Sequence, residues 1–207
     1  RVLINGKVAT LGNVIQPDRD VITVDSDAVA TGPKRYTYVL LNKPVGYVCS
    51  HRQQGDTPTI YELVPKHYQN LKAAGRLDKD SCGLVLLTDD GDTIFKLTHP
   101  KFGKKKVYHV ALNKPLKPED KDQIEKGIGL EDGTSQFKVE LIDPELRTQK
   151  MPNLYKVTMY EGRNRQIRRT FGSLRYMVTH LERQSFANFK LDDLGTETYR
   201  TVSANQI

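Results

Sequence analysis

The sequence is poor in cysteine and has no long hydrophobic run, and both shortages exclude whole classes of protein. Only two of its 207 residues are cysteine, Cys49 and Cys82, and its five histidines are scattered. Neither a disulfide framework nor a structural zinc site is indicated, so we expect no metal and a reducing, cytoplasmic location. No stretch approaches the roughly 18 apolar residues of a membrane span, and the N-terminus is too short and polar for a signal peptide. We therefore expect a soluble protein.

Negative charge is also in short supply. Against 32 Lys and Arg residues there are 25 Asp and Glu, which gives a formal charge of +7 and a pI near 9.3. Such a balance suggests an acidic partner, and nucleic acid is the obvious candidate, although many basic proteins bind none. The excess lies in a lysine run and an arginine run: Lys101, Lys104, Lys105 and Lys106, and Arg163, Arg165, Arg168, Arg169, Arg175 and Arg183.

The pattern along the chain predicts two domains. Residues 1–27 indicate a small β-rich unit with little core of its own and a turn at Asn5-Gly6. Its predicted strands cover residues 2–4, 7–9, 13–15 and 21–24. Residues 25–34 are polar and contain Gly-Pro, which is typical of a linker. We therefore predict a domain over 1–31 and a second one over 32–207.

The second domain has a mixed pattern of strands and helices. Strands are predicted at 36–41, 84–88, 107–112, 137–141 and 155–160, and helices at 92–98, 118–126 and 164–174. Residues 107–112 and 155–160 alternate with period two, as half-buried antiparallel strands do. The predicted fold class is α+β.

The segment Gly75-Arg76-Leu77-Asp78 is the most informative part of the chain. Asp78 leads through a short charged turn into the apolar residues 84–87. A carboxylate in that position is a candidate nucleophile. The four residues do not decide the matter alone, because Asp in a Gly-flanked turn more often caps a helix or accepts backbone hydrogen bonds.

An arginine-rich helix is predicted to begin at Asn164, a good N-cap residue. Three apolar positions follow the spacing of a buried stripe: Ile167, Phe171 and Leu174. Arg165, Arg168 and Arg169 then share a neighbouring face. Like charges stacked in this way are unfavourable unless an anion or a carboxylate meets them, although a solvated basic face is an ordinary alternative.

Taken together, residues 75–78, Lys106-x-Tyr108 and residues 162–169 resemble the signature segments of the RNA pseudouridine synthases, in particular the RsuA-type branch that modifies ribosomal RNA. The likeness extends through residues 36–200. It implies an α+β pseudouridine synthase fold with a mainly antiparallel mixed sheet flanked by helices. Residues 1–27 look like the C-terminal half of an alpha-L type RNA-binding domain. The two helices that usually precede that half are missing, so we expect either a fragment or a disordered N-terminus that the sequence does not include.

The resemblance implies isomerisation of a uridine within RNA, with no cofactor or metal. Asp78 would then be the nucleophile or general base, and Arg168 the neighbouring cation that keeps it ionised. Tyr108 would pack on the target base and could serve proton transfer. Without the resemblance, Tyr108 would more often be simple core, and Arg168 a surface contact to phosphate.

The remaining site residues follow from the same resemblance. Arg76 would fill the space left by the extracted base or brace the pocket, since the target must leave its stack. Leu77 and Ile167 would line the pocket. Contacts to backbone phosphates are expected from six cations: Lys104, Lys105, Lys106, Arg163, Arg165 and Arg169. The implied partner is ribosomal RNA or a pre-ribosomal particle, bound by a monomer.

Three alternatives remain open in the sequence. Arg168 in the Gln-Ile-Arg-Arg segment favours the large-subunit members of the branch over the small-subunit members, with transfer RNA as a minor possibility. A non-catalytic RNA-binding or ribosome-assembly protein would keep the scaffold, but it predicts loss of the catalytic residues, which are present. A hydrolase that uses Asp78 and Asp80 is disfavoured, because residues two apart in a turn rarely flank one glycosidic bond.

Overall fold

The computed structural model of the chain describes residues 1–17, 19–29 and 35–206. It contains two compact units, residues 1–36 and 37–207. Part of the predicted linker, residues 30–34, lies outside the described residues. Residues 27–29, which that prediction also included, form a strand instead. None of the described helices is long and apolar enough to cross a membrane.

The first unit is a four-stranded antiparallel sheet. Its strands are β1 (Val2–Ile4), β2 (Lys7–Val8), β3 (Ile22–Val24) and β4 (Asp27–Val29), in the order β2-β1-β3-β4. Asn5 and Gly6 have φ of 50° and 78°, which confirms the predicted turn, because tight hairpins favour left-handed residues there. Residues 13–15 were predicted as a strand and are not one. No described residue among 1–29 is buried, in keeping with the expected small core.

The second unit contains three α-helices and eleven strands among its described residues. The strands are β5 (Tyr38–Lys43), β6 (Lys72–Ala74), β7 (Cys82–Thr88), β8 (Lys106–Leu112), β9 (Ile128–Leu130), β10 (Gly133–Ser135), β11 (Lys138–Leu141), β12 (Leu154–Met159), β13 (Val178–Phe186), β14 (Phe189–Lys190) and β15 (Tyr199–Val202). The α-helices are α1 (Gly91–Thr98), α2 (Pro118–Lys126) and α3 (Gln166–Ser173). Short 3-10 turns cover Ile60–Leu63, Lys66–Tyr68, Pro100–Phe102, Pro144–Leu146, Leu191–Leu194 and Ala204–Gln206.

Nine of these strands form one sheet, and the other two, β9 and β10, form a separate hairpin. The order is β11-β12-β8-β13-β7-β5-β15, with β14 beside β13 and β6 beside β7. Every pair in it is antiparallel except β13 with β7. The predicted α+β class, with a mainly antiparallel mixed sheet flanked by helices, is therefore confirmed.

The core follows the alternation of side chains along these strands. On one face of the sheet, residues such as Val39, Val85 and Val110 pack with Ile124 of α2 and Phe171 of α3. On the other face, a smaller cluster joins alternate residues of β5 and β7 to α1 and the end of β13: Leu40, Leu84, Leu86, Leu97 and Phe186. The buried sheet thus provides a rigid base for the loops at its edge.

Gly83 permits the parallel contact between β7 and β13. Its φ is +101°, and a Cβ built there would lie 2.5 Å from the carbonyl oxygen of Arg183. A side chain at position 83 would therefore collide with the backbone of Arg183. The positive φ at position 83 is also a conformation that L-residues rarely adopt. The glycine lets the two strands approach and places Arg183 beside the start of β7.

Candidate active site

A cavity of about 490 Å³ lies in the second unit, where the three resembling segments meet. Its size is ordinary for a ligand site, which typically measures roughly 300–1,000 Å³. All three catalytic candidates and all three pocket candidates line it: Asp78, Tyr108, Arg168, Arg76, Leu77 and Ile167. Of the six predicted phosphate contacts, Lys106, Arg163 and Arg165 line it and the other three do not.

Asp78 lies on the loop between β6 and β7. Gly75 opens this loop with φ of +77°, and a turn closes it, in which the Ser81 N–H donates to the Asp78 carbonyl oxygen at 3.1 Å. The Asp78 side chain remains 32% exposed. It is therefore held by its backbone and open to a ligand in the cavity.

Lys43, at the end of β5, binds the C-terminal end of this loop. Its side chain is fully buried, and its Nζ donates to the carbonyl oxygens of Ser81 at 2.5 Å and Pro44 at 3.1 Å. Burial lowers the pKa of Lys43 from its ordinary value. A buried ammonium that binds two carbonyls fixes the end of the loop.

The N-terminus of α3 turns an arginine toward the same loop. The helix covers Gln166–Ser173, and its N-cap is Arg165 in the left-handed conformation, with φ of 46°. The prediction of a helix from 164 to 174 capped by Asn164 is therefore wrong at its start. Because Arg165 leaves the helical path, its guanidinium donates to the Asp80 carboxylate at 3.1 and 2.9 Å. It also lies 3.7 Å from the Asp78 carboxylate.

Arg168 was the cation expected beside Asp78, and the charge of Asp78 does act on it, but its hydrogen bonds go to other partners. Its guanidinium donates to the carbonyl oxygens of Val178 and Asp80, at 2.9 and 2.8 Å, and its Nε lies 3.3 Å from the Asp80 carboxylate. The hydrogen bond from Arg165, followed by the charges of Arg168 and Arg165, lowers the pKa of Asp80. Arg168 thus ties α3 to the Asp78 loop, and Arg165 takes the place beside Asp78.

The walls of the cavity combine apolar side chains with polar and charged ones. Leu77, Tyr108 and Ile167 are all buried, while Arg76 is exposed. Tyr108 lies on β8 directly across from Arg183 of β13. The predicted stripe on α3 is confirmed, since Ile167 and Phe171 are buried in the core.

Two of the residues predicted to contact phosphates, Arg163 and Arg169, bind a carboxylate of the protein in this structure. Arg163 donates to the carbonyl and carboxylate oxygens of Asp132 at 2.7 and 3.0 Å. Arg169 binds the same carboxylate at 2.9 and 2.6 Å. Asp132 lies in the turn of the β9–β10 hairpin, so these arginines hold the hairpin against α3. The carboxylates expected to meet the arginine face are thus Asp80 and Asp132.

A scan against protein-family models matches residues 37–173 to the family described as RNA pseudouridylate synthase. The match covers most of the second unit and more than half of the chain.

The chain belongs to this family.

Curated relatives cover the chain completely. A ribosomal small subunit pseudouridine synthase A from Vibrio parahaemolyticus is 34% identical over 213 residues, with 87% of its own length covered. A ribosomal large subunit pseudouridine synthase B from Bacillus subtilis is 34% identical over 209 residues, with 84% of its length covered. The prediction of an RNA pseudouridine synthase, an isomerase of the type that includes these two kinds of enzyme, is confirmed.

Solved structures agree with the family. A crystal structure of a pseudouridylate synthase has a TM-score of 0.72 and 33% sequence identity, and the match covers 99% of this chain and 86% of that one. An H/ACA RNP bound to a substrate RNA has a TM-score of 0.53 at 16% identity, over 94% of this chain and 59% of the other. This second likeness concerns the fold alone.

Several residues that shape the site of this synthase were not predicted. Lys43 was considered only as part of its segment, Asp80 only as the second carboxylate of the disfavoured hydrolase, and Arg183 only as one of a basic run. Cys82, His180 and Glu182, far apart in sequence, bring three potential metal-ligand atoms within 4.8 Å of one another. The one available signal was a lysine at the end of a mostly apolar strand, and it points to Lys43.

Proposed function

We propose that this synthase converts uridine in ribosomal RNA to pseudouridine, with Asp78 as the catalytic carboxylate. The observation that carries the proposal is that Asp78 and Tyr108 line one cavity, and that Arg165 lies 3.7 Å from the Asp78 carboxylate. The Asp78 side chain is 32% exposed and open to the cavity, and the neighbouring arginine offers its carboxylate a positive charge. A flat aromatic ring on the wall offers a surface on which a base can stack.

The proposed reaction rearranges one nucleoside without a net change in its atoms. The bond between the ribose C1′ and the uracil N1 breaks, the base turns, and C1′ bonds to the uracil C5. The C5 proton is lost to solvent and N1 gains a proton. Asp78 assists either by attacking the sugar or by removing a sugar proton, and no metal or cofactor takes part.

The other residues have supporting roles in this proposal. Arg165 is the cation that lies beside the Asp78 carboxylate, while Arg168 fixes the loop through Asp80. Tyr108 stacks on the flipped base, and Leu77 and Ile167 close the pocket around it. Arg76, exposed at the mouth, occupies the gap that the base leaves in the RNA, since a base must leave its stack to be reached.

The net positive charge of the chain attracts RNA. Lys104 and Lys105 remain candidates for contacts to its backbone phosphates. Lys105 is exposed and Lys104 partly so, and charges of this kind position the backbone without reading its sequence. We propose that the protein acts as a cytoplasmic monomer on ribosomal RNA or a pre-ribosomal particle. Residues 1–31 would assist as a partial alpha-L type RNA-binding domain.

The choice of ribosomal subunit is the finer part of the proposal. Arg168 in the Gln-Ile-Arg-Arg segment favours the large subunit. The relatives lean the other way in number, since most of the similar curated proteins are small-subunit enzymes, although the large-subunit enzyme from Bacillus subtilis is equally identical to the chain at 34%.

The test is pseudouridine formation on unmodified small-subunit and large-subunit ribosomal RNA, offered separately. Products are mapped by carbodiimide treatment and primer extension, with Asp122→Asn as the control, since Asp122 is exposed on α2 outside the cavity. We expect one or a few stops on the large-subunit RNA with the wild type and the control alike. Stops on the small-subunit RNA alone would reverse the choice of substrate, and RNA binding without any product would overturn the enzymatic proposal.

A further inference from the structure

Two buried cations lie together on the wall of the cavity. Lys106, at the start of β8, is 8% exposed and Arg183, on β13, is 2% exposed. Both line the cavity. Among the residues that the structure describes, neither has a carboxylate oxygen within 4.0 Å. Buried cations are ordinarily paired, so this arrangement calls for an explanation.

The two side chains are oriented but not fully bonded. Lys106 Nζ donates to the Lys104 carbonyl oxygen at 3.1 Å, and Arg183 Nε donates to the Leu84 carbonyl oxygen at 2.7 Å. Arg183 Nη2 is buried and has no hydrogen-bond partner in the described part of the chain. Both cations also lie over the Phe186 ring, at 5.5 and 4.8 Å from its centroid. Both side chains are therefore held in place, while the Arg183 Nη2 donor still lacks an acceptor in the described part of the chain.

The electrostatic balance favours the arrival of an anion. The pKa of Lys106 is lowered from its ordinary value, mainly by burial and secondly by the charge of Arg183. The nearby Glu161 acts in the opposite direction, but its carboxylate is already bound by Gln166 and Arg163. The strands set this geometry, since Gly83 is the residue that allows the backbone of Arg183 to approach.

We propose that Lys106 and Arg183 together bind a phosphate group next to the target nucleotide. This inference deepens the proposed function and rests on it. A phosphate flanks every nucleotide of RNA and accepts the forked hydrogen bonds that an arginine offers. The uracil ring is neutral, so its carbonyl oxygens could not balance two buried positive charges. The pair acts as a positioning element, which holds the backbone while the base lies against Tyr108.

The first experiment measures binding without catalysis. Uridine, uridine 5′-monophosphate and uridine 3′-monophosphate are titrated into the full chain, and their dissociation constants are compared by NMR. We expect one of the monophosphates to bind at least about tenfold more tightly than uridine, as charge-assisted bonds at a buried site should allow. The preference should fall to less than about threefold in Arg183→Met and in Lys106→Met, and stay in Lys66→Met, a control with an exposed lysine outside the cavity.

The second experiment uses the RNA substrate mapped for the wild type. An oligonucleotide carries one uncharged methylphosphonate on either side of the target uridine. For the wild type, we expect kcat/KM to fall at least about tenfold for one of the two positions. Arg183→Met and Lys106→Met should each be slower on natural RNA and show less than about a threefold further loss with the methylphosphonate. In each variant the phosphate charge that the methylphosphonate removes has already lost one of its two protein cations.

The outcomes separate this inference from the proposed function. Equal affinity of the wild type for uridine and both monophosphates, or an unchanged methylphosphonate penalty in both variants, would overturn the phosphate site. A monophosphate preference that depends on the pair, in a protein that modifies no ribosomal RNA, would support the site and reject the proposed function. If Arg183→Met fails to fold by circular dichroism, Lys106→Met carries both tests.

Discussion

The guanidinium of Arg165 donates two hydrogen bonds to the carboxylate of Asp80, at 3.1 and 2.9 Å. The left-handed backbone at Arg165 makes this possible, because it turns the side chain out of α3 toward the loop. The same guanidinium then reaches within 3.7 Å of Asp78. Asp80 is thus the anchor that fixes the cation beside the proposed catalytic carboxylate.

Removing that anchor should impair catalysis more than binding. In Asp80→Asn the ion pairs with Arg165 and Arg168 are lost, and Asp78 loses its fixed neighbour. Misplacement of a catalytic group by about 1 Å can cost roughly 10²-fold in rate. We therefore expect kcat to fall by about that factor while the dissociation constant for RNA changes by less than about threefold. Single-turnover rates and filter binding measure the two, with Asp122→Asn as the control, and an unchanged kcat would contradict this role of Asp80.

The same ion pair should make stability depend on pH in one direction. The hydrogen bond from Arg165 lowers the pKa of Asp80 in the folded chain, whereas the unfolded value is about 3.9. The stabilising effect is therefore fully present above about pH 4 and is lost as the pH falls through the lower folded value. We expect the urea midpoints of wild type and Asp80→Asn to differ at pH 5–7 and to converge in stronger acid. A gap that widens on acidification would contradict this assignment.

Gly83 should tolerate no side chain. In Gly83→Ala the new Cβ would meet the Arg183 backbone at 2.5 Å with φ at +101°, so the contact between β7 and β13 must open. Strained backbone of this kind costs about 1–3 kcal/mol even before the clash is counted, and urea unfolding should show a loss at least that large. Gly91→Ala is the matched control, since nothing lies within 4 Å of its Cβ position. Equal stability of the two variants would refute the argument.

The sequence predicts the local structure well where a short pattern decides it. Helix α2 spans the predicted residues 118–126, because its proline start and glycine end mark both boundaries. Strand β8 begins only one residue before its predicted start at 107. The burial of Phe171 follows from helical spacing alone.

What the sequence missed depends on contacts between distant segments. Strand β13 has only three apolar residues among its nine and contains His180, Glu182 and the buried Arg183, so its central place in the sheet could not be read from hydrophobicity. The partners of the arginines were hidden as well. Arg165 binds Asp80, 85 residues away, and Arg169 binds Asp132, 37 residues away. Local charge patterns cannot choose between such carboxylates.

The Cys82 thiol should react slowly in the folded chain. Burial, with a smaller contribution from the charge of Glu182, raises the pKa of Cys82 to about 11. At pH 8 its thiolate fraction is then about two orders of magnitude below that of an ordinary cysteine with a pKa of about 8.5. We expect Cys49→Ser, which retains only Cys82, to react with a disulfide reagent slowly until urea unfolds the chain. Rapid labelling of that variant in the native state would contradict the buried position of Cys82.

The central claim is that Asp78 performs the chemistry, and Asp78→Asn tests it most directly. Ribosomal RNA labelled with tritium at the uracil C5 releases the label when C1′ bonds to C5, so release measures turnover while filter binding measures RNA affinity. We predict that Asp78→Asn binds RNA within about threefold of the wild type and releases tritium at least about 10⁴-fold more slowly, as expected when a catalytic nucleophile or base is removed. Release at a rate near that of the wild type would show that another residue carries the reaction.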